Sequence, residues 1–189
     1  NSTITRILDK RITYLSQGRL AKLAFYLRRI QQAAVRGDFI EAGCALGGSS
    51  ALISSIIDAD RLFYIYDVFG QIPPPTANDP IECHNRYDII ASGLAKGIGD
   101  DDYYGYQVDL MESAKANISC FSNPEHSDNI RFCKGDLRTT MNISAPIAFA
   151  HIDVDWYEGV RACIERIVPF LAIGGSIIFD DFADWGGCK

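Results

Sequence analysis

The stretch Ala148–Trp156, AFAHIDVDW, decides the fold, because an apolar run typical of a buried parallel strand ends there in two acids. Ser176–Asp181, SIIFDD, repeats the pattern and ends in Asp180 and Asp181. The carboxyl ends of neighbouring parallel strands meet at one sheet edge, so four carboxylates are expected to lie together there. Like charges at short range raise one another's pKa. The pattern therefore predicts a divalent cation at this edge.

The four acids permit a division of roles. Three carboxylates are enough for a magnesium-type ion, which keeps positions open for water and substrate. A fourth acid beside an acceptor hydroxyl group is placed to act as a general base. The structural alternative is that Asp180 and Asp181 cap the following loop while Asp155 caps the next helix. On a regular strand His151 shares a face with Asp153, and for His151 a hydrogen-bonded role in the core is favoured over catalysis.

A second pattern, strand, glycine-rich turn and helix, lies at Gly37–Ile57. The strand is predicted over Asp38–Ala42 and the helix over Ser49–Ile57, and the glycines between them are Gly43, Gly47 and Gly48. This arrangement lets a ligand approach backbone N–H groups at a helix N-terminus. The glycine spacing matches neither the dinucleotide fingerprint nor the phosphate-binding loop, so a purely structural turn is the alternative.

Asp67 ends the next predicted strand, Arg61–Val68, about twenty-five residues after the glycine turn. An acid at that position can accept hydrogen bonds from two ribose hydroxyl groups. A helix-capping role for Asp67 is the alternative. Taken together, the turn and the acid favour a nucleoside-containing cofactor.

Strands and helices alternate through the rest of the chain. This alternation predicts an α/β fold with a doubly wound, mainly parallel sheet in a single domain, 1–189, whose first 36 residues form a helical segment. Two glycines are expected to end the helix at Trp156–Leu171. The loop Gly97–Tyr106 is interpreted as either a substrate lid or a solvated acidic turn. The remaining predicted elements are one or two helices in Ile4–Val35, helices at Ile81–Lys96 and Val108–Phe121, and strands at Asn129–Asp136, Ile147–Val154 and Ser176–Phe182.

Composition narrows the functional classes. The net charge of −6 over 189 residues makes a nucleic acid or an anionic membrane an improbable partner. No apolar run reaches the ~18 residues of a membrane span, and the first residues show no signal-peptide core. The six cysteines form no CxxC pair, which indicates reduced thiols in a cytoplasmic protein and argues against a zinc site.

Five motifs of the chain are GDFIEAG, YIYDVFGQIPPP, KGD, HIDVDWYEGV and GGSIIFDDFADWGGCK. Together they resemble those of the macrocin O-methyltransferase (TylF-type) family. The resemblance covers Gly37 to Lys189, and its specific part is HID-x-D-x-Y with a second acidic pair twenty-seven residues after the first Asp. The glycine turn is shared by many methyltransferases and is the generic part. The chain departs from the family at Cys44–Leu46 and at FGQIPPP, both near the expected cofactor.

The resemblance implies a Rossmann-like class I methyltransferase fold that uses S-adenosylmethionine and Mg²⁺ to methylate a sugar hydroxyl group on a natural product. A homo-oligomer and a further helix and strand pair after the fifth strand are also expected. Residue by residue, the family pattern matches Asp153, Asp180 and Asp181 to the Mg²⁺ ligands, Asp155 to the general base, Glu41, Gly43 and Ser49 to the first cofactor motif, Asp67 to the ribose and Asp136 to the adenine.

Other functions remain open at this stage. A catechol-type O-methyltransferase also has an acidic metal site on this fold, but its third ligand is usually Asn, where this chain has Asp181. Loss of one of the expected metal-binding aspartates would support a catalytically silent cofactor-binding module, but all of these aspartates are present. An NAD-dependent oxidoreductase is opposed by the lack of its glycine fingerprint.

Overall fold

The computed structural model of the chain describes residues 2–99 and 101–189. Its strands are all parallel and form one sheet in the spatial order β3-β2-β1-β4-β5. The order changes direction at β1 and β4, and ligands of such sheets bind beyond the carboxyl ends of the strands at this point. The strands are β1 (Asp38–Ala42), β2 (Phe63–Asp67), β3 (Ile130–Lys134), β4 (Ile147–Ile152) and β5 (Leu171–Phe179).

Helices cover both faces of the sheet, which confirms the predicted doubly wound α/β fold. Alternate residues of β1 enter separate cores: Phe39 packs with α1, α2, α3 and α5, whereas Ile40 packs with α7. The helices are α1 (Thr3–Asp9), α2 (Gln17–Gln32), α3 (Gly48–Ser54), α4 (Ile81–Ala91), α5 (Leu110–Ser119), α6 (Leu137–Thr140) and α7 (Tyr157–Ile167).

The N-terminal segment forms two helices rather than one. Serine side chains begin both, since Ser2 accepts a hydrogen bond from the Thr5 N–H group and Ser16 accepts one from the Arg19 N–H group. The apolar face of α2 is buried against the sheet, and the helix contacts β5. This packing places Arg19 near the carboxyl end of β5.

The prediction that Gly174 and Gly175 end a helix is wrong. Helix α7 ends at Ile167, and a short 3₁₀ turn containing Pro169 follows, because proline has no N–H group to continue the helical ladder. Both glycines lie inside β5, where a break in the register against β4 accommodates them.

Several helices are shorter than predicted: α3 ends at Ser54 instead of Ile57, α4 at Ala91 instead of Lys96, and α5 at Ser119 instead of Phe121. The short helix α6 was not predicted, because four residues are too few to show a helical period. No helix in the described part of the chain is long and apolar enough to cross a membrane. All six cysteines are free thiols, and four of them are buried.

Candidate active site

Three carboxylates meet at the carboxyl ends of β4 and β5. Asp153 directly follows β4, and Asp180 and Asp181 directly follow β5. Each contributes one carboxylate oxygen to a group in which all three oxygens lie within 4.8 Å of one another. The Asp180 N–H group donates to the Ile152 carbonyl oxygen at 2.9 Å, which continues the strand pairing and brings the two strand ends together.

Asp155 reaches this group through a tight turn. Strand β4 ends at Ile152, two residues before the predicted end at Val154, so both Asp153 and Asp155 lie beyond the strand. Asp155 has a left-handed backbone with φ of 57°. The Trp156 N–H group donates across it to the Val154 carbonyl oxygen at 2.6 Å, and the Asp155 N–H group donates to Asp181 Oδ2 at 3.2 Å. The turn, rather than strand alternation, gathers the acids.

The structure contradicts the alternative in which Asp155 caps the next helix. Asp155 does not cap α7, because the Tyr157 N–H group at the start of that helix donates to Asp79 Oδ1 at 2.8 Å. Asp79 belongs to the loop before α4 and also accepts a hydrogen bond from the Thr76 N–H group at 2.8 Å. The Asp155 carboxylate is therefore available to the neighbouring cavity.

Burial and mutual repulsion favour the protonated form of these acids when no metal cation is near. Burial, followed by the charges of Asp181 and Asp155, raises the pKa of Asp153 well above its usual range. Burial and Asp181 raise the pKa of Asp155 to about 7, against the opposing charge of Arg86. Burial also raises the pKa of Asp181. Such hard oxygen donors, crowded and partly desolvated, fit a Mg²⁺ ion.

Arg19 of α2 is the basic residue that touches the acidic group. Its Nη1 donates to Asp180 Oδ2 at 2.7 Å, and its other terminal nitrogen pairs with Asp184. This contact could not be predicted from the sequence, because Arg19 is one of several basic residues on the polar positions of α2. Only the packing of α2 against β5 distinguishes it from Lys22.

The glycine turn after β1 lies against the acidic group. Gly43 has φ of +90°, and a Cβ atom built on it would lie 1.7 Å from the carbonyl oxygen of Asp153. No side chain fits there, so the close approach of two backbones requires glycine. The Gly43 N–H group donates to the Tyr66 carbonyl oxygen at 2.9 Å.

Asp67 stabilises the same turn by accepting hydrogen bonds from its backbone. Its Oδ2 accepts hydrogen bonds from the N–H groups of Cys44 at 2.6 Å and Ala45 at 3.1 Å, while its Oδ1 accepts one from Phe69 at 2.6 Å. Burial raises the pKa of Asp67, and these hydrogen bonds oppose the rise. Asp67 does not cap a helix; it holds the turn and lines the crevice described next.

A crevice at this sheet edge has two ends. The end that we call the acidic cavity has a volume of about 330 Å³ and contains the four acids. The other end, which we call the glycine-side cavity, is lined by residues that include Asp136 and Pro73. Both ends share Gly43, Asp67, Asp153, Asp155, Ile72, Tyr104 and Trp156.

The remaining predicted cofactor residues occupy different surroundings. Asp136 begins α6 by accepting a hydrogen bond from the Arg138 N–H group, and its side-chain pairing with Arg138 lowers the pKa of Asp136. Glu41 and Ser49 are buried and line neither cavity. Glu41 Oε1 lies 2.9 Å from His151 Nδ1, so His151 is hydrogen-bonded in the core.

Aromatic side chains wall the crevice. Trp156 packs edge-on against Trp185 with ring centroids 5.5 Å apart, and its Nε1 donates to the Pro73 carbonyl oxygen at 3.0 Å. Tyr103 and Tyr104, from the loop at 97–106, line the acidic cavity. The interpretation of this loop as a substrate lid agrees with that position. The sequence carried no signal for Tyr14 or Arg86, because both come from segments without a binding motif.

Comparison with known proteins places the chain among methyltransferases. Residues 10–189 match the model of the family Macrocin-O-methyltransferase (TylF). A 4'-O-methyltransferase of 8-demethyl-8-(2,3-dimethoxy-α-L-rhamnosyl)-tetracenomycin C from Streptomyces olivaceus is 25% identical over 178 residues, covering 90% of this chain and 62% of that protein. Demethyldecarbamoylnovobiocin O-methyltransferase from Streptomyces niveus is 26% identical over 168 residues, covering 82% and 56%. The chain thus spans less than two thirds of these relatives.

Solved structures share the architecture. The O-methyltransferase NovP superposes with a TM-score of 0.76 at 22% identity, covering 94% of this chain and 70% of NovP. The calicheamicin methyltransferase CalS11 superposes with a TM-score of 0.66 at 18% identity, covering 98% and 80%. The sheet therefore has the Rossmann-like class I methyltransferase fold, as predicted.

Proposed function

The chain belongs to the macrocin-O-methyltransferase (TylF) family, and from this premise we propose that it methylates a sugar hydroxyl group on a natural product. The methyl donor is S-adenosylmethionine and the metal is Mg²⁺. The observation that carries the proposal is the group of three carboxylate oxygens within 4.8 Å, which lies beside a glycine turn at the switch point of the sheet. The similarity to a rhamnosyl 4'-O-methyltransferase supports a sugar acceptor.

In this proposal Asp153, Asp180 and Asp181 hold the metal. When bound, Mg²⁺ lowers the pKa of an acceptor hydroxyl group, and S-adenosylmethionine supplies an electrophilic methyl group. The three carboxylates fix the position of the ion at the strand ends. Their burial strengthens each electrostatic contact made there.

Asp155 is the general base. A pKa of about 7 leaves a substantial fraction of Asp155 charged at neutral pH, ready to accept a proton from the hydroxyl group. The left-handed turn directs Asp155 toward the cavity, and Trp185 favours its charged form. Trp156 and Tyr104 restrict water at the same place.

The glycine turn and two acids bind the cofactor. Gly43 allows close approach to the backbone, and Asp67 keeps accepting capacity for a ribose hydroxyl group after its three backbone hydrogen bonds. Asp136 lies beside the adenine. Glu41 and Ser49 belong to the same cofactor motif, and because both are buried and line neither cavity, their proposed role is to support the turn.

Calorimetry with matched variants tests the metal site. Wild type is expected to bind S-adenosylmethionine and Mg²⁺, whereas Asp180→Asn should lose the Mg²⁺ heat and retain cofactor binding. Asp88→Asn, on an exposed position of α4, is the control and should behave as wild type. An unchanged Mg²⁺ heat in Asp180→Asn would contradict the assignment.

Methyl transfer tests the base. Asp155→Asn is expected to retain both binding heats and to form S-adenosylhomocysteine at least about 100-fold more slowly, since general-base catalysis contributes factors of this size. Suitable acceptors are methyl α-L-rhamnoside and a nucleoside-diphosphate rhamnose. Retention of the wild-type rate would remove Asp155 from the mechanism.

A cytoplasmic location and a homo-oligomeric assembly complete the proposal. The free thiols of all six cysteines support a reducing compartment. Gel filtration with light scattering would test the assembly.

A further inference from the structure

One wall of the acidic cavity is positively charged and aromatic. Arg86 of α4 lines the cavity together with three tyrosines, Tyr14, Tyr103 and Tyr104, which we call the tyrosine wall. The rings of Tyr103 and Tyr104 lie 4.4 Å apart and those of Tyr14 and Tyr104 lie 5.7 Å apart. The Arg86 guanidinium group lies 5.9 Å from the ring centroid of Tyr103, close enough for a weak cation–π contact.

The two arginines of this cavity differ in their pairing. Arg19 is held by Asp180 and Asp184. Arg86, by contrast, forms no ion pair with any carboxylate in residues 2–99 and 101–189. Arg86 is nevertheless half-buried. Withdrawing a guanidinium group from water costs free energy that an ion pair normally offsets, so its free N–H donors favour an anionic ligand.

Arg86 lines the acidic cavity together with Tyr14, Tyr103 and Asp155, which come from separate segments of the chain. Burial raises the pKa of these three groups, and the positive charge of Arg86 opposes the rise at each of them. A molecule that places a hydroxyl group near Asp155 and a ring against the tyrosine wall is within reach of Arg86.

We propose that Arg86 binds an oxyanion, a phosphate or carboxylate group, that the acceptor carries outside the sugar to be methylated. This inference rests on the proposed function and names its substrate class. A planar guanidinium group binds both kinds of oxyanion with two parallel hydrogen bonds. The oxyanion has two possible sources: the diphosphate of a nucleotide-linked sugar, or a carboxylate on the aglycone of a finished glycoside.

The test measures binding of anionic probes by calorimetry. The protein is saturated with Mg²⁺ and S-adenosylhomocysteine, so that any contact of the probe with the metal is common to all variants. The probes are thymidine diphosphate and benzoate, with uncharged thymidine as the reference. Wild type is compared with Arg86→Gln, with Arg86→Lys and with the control Arg161→Gln on the exposed side of α7.

The dissociation constant of at least one anionic probe is expected to rise about tenfold or more in Arg86→Gln, because bidentate charge-assisted hydrogen bonds are lost. Arg86→Lys should retain part of the affinity, and Arg161→Gln all of it. If Arg86→Gln weakens the binding of thymidine diphosphate alone, the oxyanion belongs to a nucleotide-linked sugar. If Arg86→Gln weakens the binding of benzoate alone, the oxyanion is a carboxylate on the aglycone. The absence of anion binding by wild type, or equal binding by Arg86→Gln, would overturn the proposal.

A failure of the proposed function can be distinguished from a failure of the Arg86 proposal. The proposed function requires that wild type binds S-adenosylhomocysteine before any probe is added. Cofactor affinity of Arg86→Gln is expected to equal that of wild type. This measurement also shows that the variant is folded. A loss of anion binding together with cofactor binding in Arg86→Gln would count against a specific role for Arg86.

Discussion

At the scale of single residues, Asp155 makes the site sensitive to pH. A carboxyl group with a pKa of about 7 is mostly protonated below that pH and cannot then accept a proton. This value belongs to the metal-free site, and a bound Mg²⁺ ion would lower the pKa of Asp155. We therefore expect kcat/KM of the Mg²⁺-saturated enzyme to rise with pH along a limb below about pH 7 and to level off above it. Asp155→Asn should lose this limb of the profile along with most of the rate. An unchanged limb in Asp155→Asn would contradict the base assignment.

Arg19 is expected to compete with the metal. Its guanidinium group occupies Asp180 Oδ2 at 2.7 Å, and a positive charge nearby also repels a divalent cation. Two unit charges about 4 Å apart interact by about 1 kcal/mol in water and a divalent ion doubles this energy, so Arg19→Gln should bind Mg²⁺ at least about tenfold more tightly by calorimetry. Lys22→Gln, an exposed position on the same helix, is the matched control. Weaker Mg²⁺ binding in Arg19→Gln would show that Arg19 positions Asp180 instead.

The residues of the acidic group were predictable, but the way they meet was not. Two apolar runs that each end in acids are visible in the sequence, and parallel strands carry them to one edge. The turn at Asp155 depends on a left-handed backbone and on the Asp181 side chain, which is distant in sequence. Arg19 belongs to a helix whose docking site the local sequence does not specify.

At the scale of elements, the turn after β1 depends on a contact that only glycine permits. Gly43→Ala places a methyl group 1.7 Å from the Asp153 carbonyl oxygen, so the turn and the end of β4 must move apart. We expect a large loss of thermal stability and of S-adenosylhomocysteine affinity. Gly93→Ala is a matched control, since Gly93 also has a positive φ of +77° but no atom within 4 Å of a built Cβ.

The control variant Gly93→Ala separates the cost of a left-handed backbone from the cost of the steric collision. Gly93→Ala carries only the backbone cost of a left-handed residue, about 1–2 kcal/mol, whereas Gly43→Ala adds the collision. Thermal unfolding of both variants measures the difference. Equal losses in the two variants would mean that the Gly43 contact relaxes without cost.

All five strands were located, but their ends were not predicted more accurately than those of the helices. The apolar run of β4 is clear because this central strand is buried on both faces. Strand β5 begins at Leu171 instead of Ser176 and ends at Phe179 instead of Phe182. Gly174 and Gly175 misled the prediction because glycine both ends helices and occupies irregular strands. Pro169 was the more informative residue, since it lacks the donor that another helical turn needs.

At the scale of the whole molecule, the buried acids couple stability to pH and to metal. Their pKa values are raised on folding, so the folded state retains protons that the unfolded chain releases above pH ~4. The free energy of unfolding should therefore fall as pH rises from about 4 to about 7, by up to about 1.4 kcal/mol per pH unit for each proton.

Thermal unfolding against pH, with EDTA or with Mg²⁺, measures this effect. In EDTA the melting temperature should decrease toward neutral pH, and Mg²⁺ should restore it by binding the charged acids of the folded state. Asp181→Asn is expected to flatten the profile in EDTA. A melting temperature in EDTA that increases from pH 5 to pH 7 would contradict the raised pKa values.

The doubly wound architecture was predictable as a whole, whereas the far wall of the crevice was not. Alternation of strands and helices fixes the sheet and its binding edge. Arg86 and the tyrosine wall come from α4, the loop at 97–106 and the segment after α1. A substrate lid was one of two interpretations of that loop, but α4 and the segment after α1 carry no binding pattern. Tertiary packing alone brings them to the cavity.

The contact between Gly43 and the backbone of Asp153 has a thermodynamic consequence. Gly43 belongs to the proposed cofactor turn and Asp153 is a proposed metal ligand, so a ligand that shifts one backbone must also move the other. Two ligands linked in this way change each other's affinity by the same factor, whichever arrives first. In titrations, we expect S-adenosylhomocysteine to change the affinity for Mg²⁺, and Mg²⁺ to change the affinity for S-adenosylhomocysteine, by the same factor. That factor should differ from one.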